Sequence, residues 1–194
     1  MTIQDRLDTA IAAHPLLEHP FYQAWRDGTL PVASLATYAG EYGAFIAAID
    51  QGWETVGEHD HAAEERHHAE LWAEFARAFG AEVGEATIPE VSQLLETSRR
   101  LFAEPATAWG ALYAFEKQQP GTAEEKLGGL AAHYGVAEDA DAAEYFRVHA
   151  ADYHEADGIV ASLETSPELN DAAVAACAEM TQALWDALSG IPVE

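Results

Sequence analysis

The sequence predicts an all-α fold. Apolar residues recur at three- and four-residue spacing along nearly the whole chain, and no segment shows the apolar-polar alternation of a half-buried strand. Proline and glycine stand where the periodic segments begin and end, as they do at helix boundaries. The chain has 194 residues, 49% of them hydrophobic, which is enough for a sizeable core. We therefore predict a single helical domain over residues 1–194.

The periodic segments predict about seven to nine helices. The first four run from about Thr2 to Ala13, from Leu16 to Asp27, from Pro31 to an interruption at Gly57, and from Glu58 to Phe79. The others run from Pro89 to Phe102, from Pro105 to a break at Pro120-Gly121, from Thr122 to Tyr134, from about Ala140 to Leu163, and from Pro167 to near Gly190.

The composition is strongly acidic. The chain carries 34 acidic and 9 basic residues, a formal net charge of −25. A surface this negative repels nucleic acid and anionic membranes, so we expect neither as a partner. Scattered acidity with only two lysines, Lys117 and Lys126, is typical of a protein kept soluble in high salt. We expect a halophilic source, with an acidic mesophile as the alternative.

Cysteine usage and terminal sequence indicate an intracellular protein. The single cysteine, Cys177, excludes an internal disulfide framework and lies on an apolar helical stripe, so we predict a small buried hydrophobe. The sequence shows no basic n-region, signal peptide or eighteen-residue apolar run. We therefore expect a soluble, cytoplasmic protein.

The buried stripe of the predicted helix from Glu58 to Phe79 changes from polar to aromatic residues halfway along. The C-terminal half of its buried stripe carries aromatic residues, among them Trp72 and Phe75. The N-terminal half continues the same stripe with Glu58, His61, Glu65 and His68. Unpaired buried charge is costly, so carboxylates and imidazoles on this face indicate a metal site. A solvated helix end is the alternative.

Two further helices place ligand-type side chains at apolar positions. Glu116 shares a face with Trp109 and Leu112, and His149 shares one with Asp152. Helix bundles build dinuclear carboxylate sites in this way. Mixed imidazole and carboxylate ligation with open positions suits Fe(II) or Mn(II) better than a closed zinc site. The alternative is three separate buried polar groups, each satisfied by its own hydrogen bond.

Four neighbouring residues are weaker candidates. Glu64 could take the place of Glu65, although it lies off the aromatic stripe. His61 lies on the stripe and could be an extra ligand or a hydrogen-bonding partner of a ligand. His67 and His154 are expected to be exposed to solvent.

Several blocks of the sequence resemble the TenA/PqqC-like, heme-oxygenase-like helical superfamily. The opening motif is HPFY at residues 19–22, followed by Trp25, Gly28, Leu30 and Tyr38. The runs HAELW at 68–72, YAFEKQQP at 113–120 and YFRVH at 145–149 resemble its metal-binding branch, the heme-oxygenase-like diiron oxidases. The resemblance covers about residues 14 to 165 and implies a helical bundle of that type.

Within that branch the sequence is most similar to the group typified by the chlamydial protein associating with death domains. Members bind two metal ions through a Glu and a His on one helix, a Glu in the tyrosine-led run, and a His-x3-Asp-x2-His motif. The resemblance carries these roles to Glu65, His68, Glu116 and His149. The spacing in the chlamydial group would instead assign the ligand position of Glu65 to His61.

The last metal motif of the resemblance is out of register in this chain. After His149, Tyr153 and Ala156 stand where Asp and His are expected, while Asp152 and His154 lie close by. A local helix bulge could bring Asp152 and His154 to the metal. Without it, the resemblance implies a weakened or lost second metal site.

The resemblance also implies a reaction. Members of this group resemble self-sacrificing 4-aminobenzoate synthases, which cut the product from one of their own tyrosines with O2 and take the amino group from a lysine. The matching positions are Tyr22 and Lys126, for which a core tyrosine and a surface lysine are the alternatives. We therefore expect a dinuclear Fe/Fe or Fe/Mn oxidase that needs O2 and an external reductant, acts on a small molecule or its own tyrosine, and forms a homodimer.

Other branches of the superfamily fit the sequence less well. Thiaminase II enzymes use a cysteine near the middle of the chain, whereas Cys177 lies in the last predicted helix. The cofactor-free PqqC branch lacks the carboxylates present here. The remaining alternative is a metal-free TenA/PqqC-like protein that binds or transforms a small heterocyclic metabolite.

Overall fold

The computed structural model describes residues 1–150 and 154–194 of the chain. These residues contain no β-strand, which confirms the all-α prediction. Their α-helices are α1 (Ile3–Ile11), α2 (Pro20–Arg26), α3 (Val32–Ile46), α4 (Asp50–Val56), α5 (His59–Ala78), α6 (Pro89–Leu101), α7 (Pro105–Glu116), α8 (Gln119–His133), α9 (Glu144–Ala150), α10 (His154–Thr165) and α11 (Asn170–Ser189). Short 3-10 turns cover Leu16–Glu18, Asp141–Ala143 and Pro167–Leu169.

The helix boundaries differ from the predicted ones at three places. The segment predicted as one helix from Pro31 to Gly57 forms α3 and α4, with a turn at residues 47–49 between them. The segment from Ala140 to Leu163 contains a 3-10 turn, α9 and α10 in its described parts. Pro120 does not break the chain, because it lies in the first turn of α8, where its missing N–H is not needed.

His19 caps the helix that carries Tyr22. Its Nδ1 accepts a hydrogen bond from the Phe21 N–H at 3.0 Å, and Pro20 occupies the first helical position of α2. Since Nδ1 is an acceptor, the proton of the neutral ring sits on Nε2, which donates to Ser189 Oγ at 2.9 Å. This cap fixes the start of α2 against the end of α11.

The helices enclose one connected cluster of buried apolar side chains. α11 packs on α6 and α7, α5 packs on α3 and α4, and α8 packs on α2 and α9. At the α7–α11 crossing, a Cβ on Gly110 would lie 1.8 Å from the Ala173 carbonyl oxygen, so only glycine allows this approach. Cys177 on α11 is fully buried, as predicted, and its Sγ lies 3.8 Å from the Leu7 carbonyl oxygen of α1.

The segment Val32–Val56 is long and apolar enough to cross a membrane by length and composition alone, with a mean hydropathy of 1.2 over its best window. The sequence-based expectation of no such run was therefore too strict. However, 56% of that window is buried inside the protein, and the segment supplies Leu35, Tyr38 and Phe45 to the core. It behaves as a core segment of the bundle.

Candidate functional site

Three of the predicted metal ligands lie together. Glu65 and His68 lie on α5 and His149 lies on α9, and one potential ligand atom from each falls within 4.8 Å of the others. The two imidazole rings are 4.3 Å apart between centroids. Glu65 and His149 are buried, and His68 is partly exposed. We call these three residues the α5–α9 triad.

The Glu65 carboxylate has one oxygen that none of the described residues satisfies. Its Oε1 accepts from His68 Nδ1 at 3.0 Å. Its Oε2 is buried and has no hydrogen-bond partner among the described residues. A buried polar atom left in this state costs about 1–3 kcal/mol, and more when it is charged. A bound cation would remove that cost, so the triad fits a metal ion.

His149 is oriented in the way common for metal-binding histidines. Its Nδ1 lies 2.6 Å from the backbone carbonyl oxygen of Tyr145, and a carbonyl can only accept. The Nδ1–H therefore donates to the carbonyl, and the neutral ring carries its lone pair on Nε2. Fixing the tautomer through the other ring nitrogen is what surrounding groups do for metal-ligating histidines.

The charges around His68 favour a cation at this position. Burial alone would lower the pKa of His68, but the hydrogen bond and charge of Glu65 outweigh it, and the pKa is raised. The charges of Glu155 and Glu64 make smaller contributions in the same direction. The triad thus sits in a negative local field, which favours a metal ion over a neutral environment.

The structure places the other predicted metal residues differently. Glu116, at the end of α7, is buried, and its charge acts on Tyr145, but it is not in the triad. His61 stacks on the Trp53 ring at 4.6 Å. The solvent-exposed positions among the candidates are Glu64, His67 and His154. Asp152 lies outside the described residues, so its predicted role stays a prediction.

Sequence reasoning missed Glu155. This residue lies in the first turn of α10, is half-buried, and carries a negative charge that acts on His68. The available signal was an acidic residue six positions after His149, within the out-of-register motif. That signal was weak because the surrounding sequence is acidic throughout.

Lys126 is buried in a cage of aromatic rings. Its Nζ lies 5.1 Å from the ring centroid of Tyr22 and 5.5 Å from that of Tyr38. The rings of Trp72 and Phe146 complete the cage at 5.8 and 5.4 Å. The four rings come from α2, α3, α5 and α9, whereas Lys126 lies on α8. We call this arrangement the lysine cage.

Burial in the cage makes the neutral form of the amine accessible near pH 7. Lys126 is 2% exposed, so the surface-lysine alternative is wrong, whereas Lys117 is exposed. Burial lowers the pKa of Lys126 to about 7, and no neighbouring charge contributes to the shift. A substantial fraction of the amine is therefore unprotonated near neutral pH and can act as a nucleophile.

Tyr22 is a buried phenol at the wall of the cage. It is 3% exposed, and burial raises its pKa above the ordinary value, while the hydroxyls of Tyr38 and Thr122 oppose the shift in part. Tyr22 therefore stays protonated at any physiological pH. The structure brings the two residues of the predicted reaction, Tyr22 and Lys126, into direct contact.

Comparison with known proteins assigns the family. Residues 24–186 match the model of a heme-oxygenase-type family described as iron-containing redox enzymes. The chain belongs to this family. It is therefore an enzyme of the iron-containing redox type, which favours the iron-dependent interpretation over the metal-free one. The donor set of the α5–α9 triad, two imidazoles and a carboxylate, agrees with iron as the metal.

The similar proteins support the same assignment. The chain is 33% identical over 224 residues to a 4-aminobenzoate synthase of Nitrosomonas europaea, covering 98% of this chain and 91% of that protein. It is also 33% identical over 207 residues to a 4-aminobenzoate synthase of Chlamydia pneumoniae, covering 94% and 92% of the two chains.

Solved structures show the same fold. A TenA homologue from Pseudomonas syringae pv. tomato superposes with a TM-score of 0.72 at 18% identity, covering 96% of this chain and 89% of that one. A TenA homologue from P. horikoshii gives a TM-score of 0.67 at 14% identity and covers 97% of both chains. The predicted TenA-like, heme-oxygenase-like bundle is confirmed.

Proposed function

We propose that this enzyme is a non-heme, O2-dependent oxidase with two metal ions, Fe/Fe or Fe/Mn, that forms 4-aminobenzoate from its own Tyr22. Lys126 supplies the nitrogen. The near full-length similarity to proteins named 4-aminobenzoate synthase supports this proposal. Its main structural support is the contact between the buried amine of Lys126 and the ring of Tyr22.

The chemistry of the product explains why these two groups should touch. 4-Aminobenzoate keeps the ring and Cβ of a tyrosine side chain. The ring hydroxyl must be replaced by nitrogen, the Cα–Cβ bond must break, and Cβ must be oxidised to a carboxylate. A neutral amine held against the ring meets the first requirement, because an ammonium group has no lone pair with which to attack carbon. The oxidation draws on O2 and an external reductant.

The remaining residues hold the metal ions. Glu65, His68 and His149 are the proposed ligands that the structure brings together. Glu116 is a further buried carboxylate whose charge, like that of Glu65, acts on Tyr145. When bound, iron supplies activation of O2 at open coordination positions. The protein fixes the ligand geometry, and it keeps water from the cage, whose lysine and four rings are all buried.

The decisive experiment measures product and protein mass together. Protein loaded anaerobically with iron, then given reductant and O2, should release at most one 4-aminobenzoate per chain and lose the corresponding mass at Tyr22. Tyr22→Phe should abolish release while retaining iron, because Tyr22 is not a proposed ligand. Lys126→Arg should block amination. Lys117→Arg is the matched control, since this exposed lysine is the only other one in the chain, and it should release product normally.

Two outcomes would redirect the proposal. An oxidase acting on an external small molecule would turn over many equivalents and tolerate Tyr22→Phe. A chain that keeps its full mass after O2 exposure and retains no metal would instead fit the binding-protein alternative.

The single domain, the homodimer and the absence of nucleic-acid and membrane partners stay predictions, and light scattering would test the homodimer directly.

A further inference from the structure

Lys126 is the only lysine or arginine with a buried side chain in the part of the chain that the structure describes. The chain has nine such residues, and the other eight are exposed or partly exposed. The lysine cage itself consists of this amine and four aromatic rings. The Lys126 amine is therefore the one group of the cage that can carry a positive charge.

The proposed reaction removes this positive charge. Transfer of the nitrogen breaks the Cε–Nζ bond of Lys126 and forms a bond from the nitrogen to the Tyr22 ring carbon that carried the hydroxyl. The oxidation is supplied by O2 and the external reductant of the proposed function. The nitrogen of the product is an arylamine, which is neutral at pH 7. The lysine side chain that remains ends at Cε and has no ammonium form.

The same reaction creates a negative charge in the cage. Oxidation of the Tyr22 Cβ gives a carboxylate in place of a neutral methylene group, at a residue that is only 3% exposed. The hydroxyls of Tyr38 and Thr122 act on the phenolic hydroxyl, which is the opposite end of the ring. A buried carboxylate without a charged partner is strongly disfavoured. The product anion therefore has no suitable partner in the spent cage.

The cavity left by the consumed side chain is suited to a neutral aromatic molecule. The Phe21 ring lies 5.6 Å from the Tyr22 ring between centroids and meets it edge to face. The side chain of Lys126 lies on the Tyr22 ring, with Nζ 5.1 Å from its centroid. Closed apolar cavities of this kind bind small aromatic compounds. The spent cage thus fits the ring of the product but not its charge.

We propose that the spent cage is a site for small neutral para-substituted aromatic compounds, and that it releases the 4-aminobenzoate anion because its single cation has been incorporated into that product. This inference rests on the proposed function. Before nitrogen transfer, the ammonium form of Lys126 can pair with a carboxylate in the cage. A carboxylate formed too early therefore stays bound, and release is coupled to amination. The net charge of −25 on the chain opposes the return of the anion.

Two variants reproduce the cage before and after nitrogen transfer. Tyr22→Gly removes the consumed side chain and keeps the amine, and the Tyr22→Gly, Lys126→Met double variant also replaces the amine with a neutral group. Isothermal titration calorimetry on the full chain, loaded anaerobically with iron, measures binding of 4-aminobenzoate and of neutral 4-methylaniline. Lys126→Met should weaken binding of 4-aminobenzoate at least about tenfold, the loss expected for one charged hydrogen bond. Binding of 4-methylaniline should change by less than about twofold.

The matched control is Lys117→Met in the Tyr22→Gly background, because Lys117 is exposed. This variant should bind both ligands as Tyr22→Gly does. Equal affinity for 4-aminobenzoate with and without the Lys126 amine would overturn the proposal, and so would an equal loss of affinity for the two ligands. If glycine at residue 22 prevents folding of the short helix α2, Tyr22→Ala permits the same comparison, because alanine is the best helix former.

Failure of this proposal and failure of the proposed function give different results. If wild-type protein yields no 4-aminobenzoate even after denaturation, the proposed function is wrong, and calorimetry still decides whether Lys126 holds an anion in the cage. If wild-type protein yields the product only after denaturation, the release proposal is wrong and the proposed function stands. The expected result is that native protein, after reaction with O2, passes its 4-aminobenzoate through an ultrafiltration membrane and then binds 4-methylaniline.

Discussion

The α5–α9 triad and the lysine cage have opposite effects on a buried positive charge. At the triad, Glu65 and other acidic residues raise the pKa of His68, and one Glu65 oxygen has no hydrogen-bond partner within residues 1–150 and 154–194. In the cage, four aromatic rings surround the Lys126 amine, and burial alone lowers its pKa. The first environment attracts a cation and the second rejects one. Neighbouring parts of one core are thus suited to a metal ion and to a neutral amine.

The unpaired lysine of the cage indicates a functional role and not a contribution to stability. A chain with 34 acidic residues has ample means to pair a buried lysine, yet the shift of Lys126 has no contribution from a carboxylate. Aromatic faces attract ammonium ions, but a cation–π contact recovers only part of the lost hydration. Keeping the lysine unpaired therefore lowers stability, and a cost of this kind is typical of groups retained for chemistry.

The largest expected effect follows from replacing that lysine. Lys126→Met keeps the length of the side chain and removes the amine, so it should raise the free energy of unfolding at pH 7 by on the order of 4 kcal/mol. The reason is that the unfolded chain protonates this lysine below its ordinary pKa of 10.5, whereas the folded chain does so only below about 7. Wild-type stability should accordingly rise between pH 7 and 10.5. Denaturant titration at several pH values would measure the effect of the variant and the pH dependence of the wild type.

The control for this variant is the other lysine. Lys117→Met changes an exposed side chain and should alter the unfolding free energy by less than about 0.5 kcal/mol. Destabilisation by Lys126→Met would mean that the amine has a stabilising partner, and the contrast between cage and triad would break down.

The next effect concerns the triad. His68→Ala should weaken iron binding at least about a hundredfold, because it removes a ligand and leaves Glu65 without its hydrogen bond. His67→Ala is the matched control, since His67 is the adjacent histidine on α5 and its side chain is 65% exposed. Metal analysis after anaerobic loading and desalting would compare the two. Equal iron content in both variants would remove the triad from the metal site.

The same two regions show what the sequence could predict. Glu65 and His68 stood out because helical spacing within one segment places them on an aromatic stripe, and this pattern can be computed from a single helix. The cage could not be found in that way, because its four rings come from four helices and the lysine from a fifth. Periodicity gives the face of a helix but not which other helix it meets. The family resemblance supplied Tyr22 and Lys126 instead.

The prediction of helix boundaries was limited by a similar ambiguity in the local sequence. Pro120 was interpreted as a break, although a proline is equally acceptable in a first helical turn, and only the packing of α8 decides between the two. Glu155 was missed because one acidic residue in a chain with 34 of them carries little information.

A third prediction lies outside both regions, at the helix cap of α2. Burial lowers the pKa of His19 to about 4, with a smaller opposing contribution from the charge of Asp186. Between pH 6.5 and 4 the unfolded chain binds a proton that the folded chain excludes, so stability should fall across this range by about 2–3 kcal/mol. The protonated ring also loses the acceptor for the Phe21 N–H. His19→Asn keeps a capping acceptor without titrating, and should flatten the pH dependence measured by thermal unfolding.

The smallest expected effect is the salt dependence of stability, which arises from the charged surface and not from the buried site. With a formal net charge of −25, the folded chain repels itself, and salt shortens the range of that repulsion from about 8 Å at physiological strength to about 3 Å at 1 M. We expect stabilisation of about 1–2 kcal/mol in molar KCl, which corresponds to a rise of roughly 5 °C in Tm. Burial is the only cause of the Lys126 pKa shift, and no charged group of the described residues contributes to it, so Lys126→Met should show the same salt dependence as the wild type. A Tm that stays flat across this range would remove the halophile prediction. A salt dependence that changes in Lys126→Met would instead show that the cage responds to the surface charge.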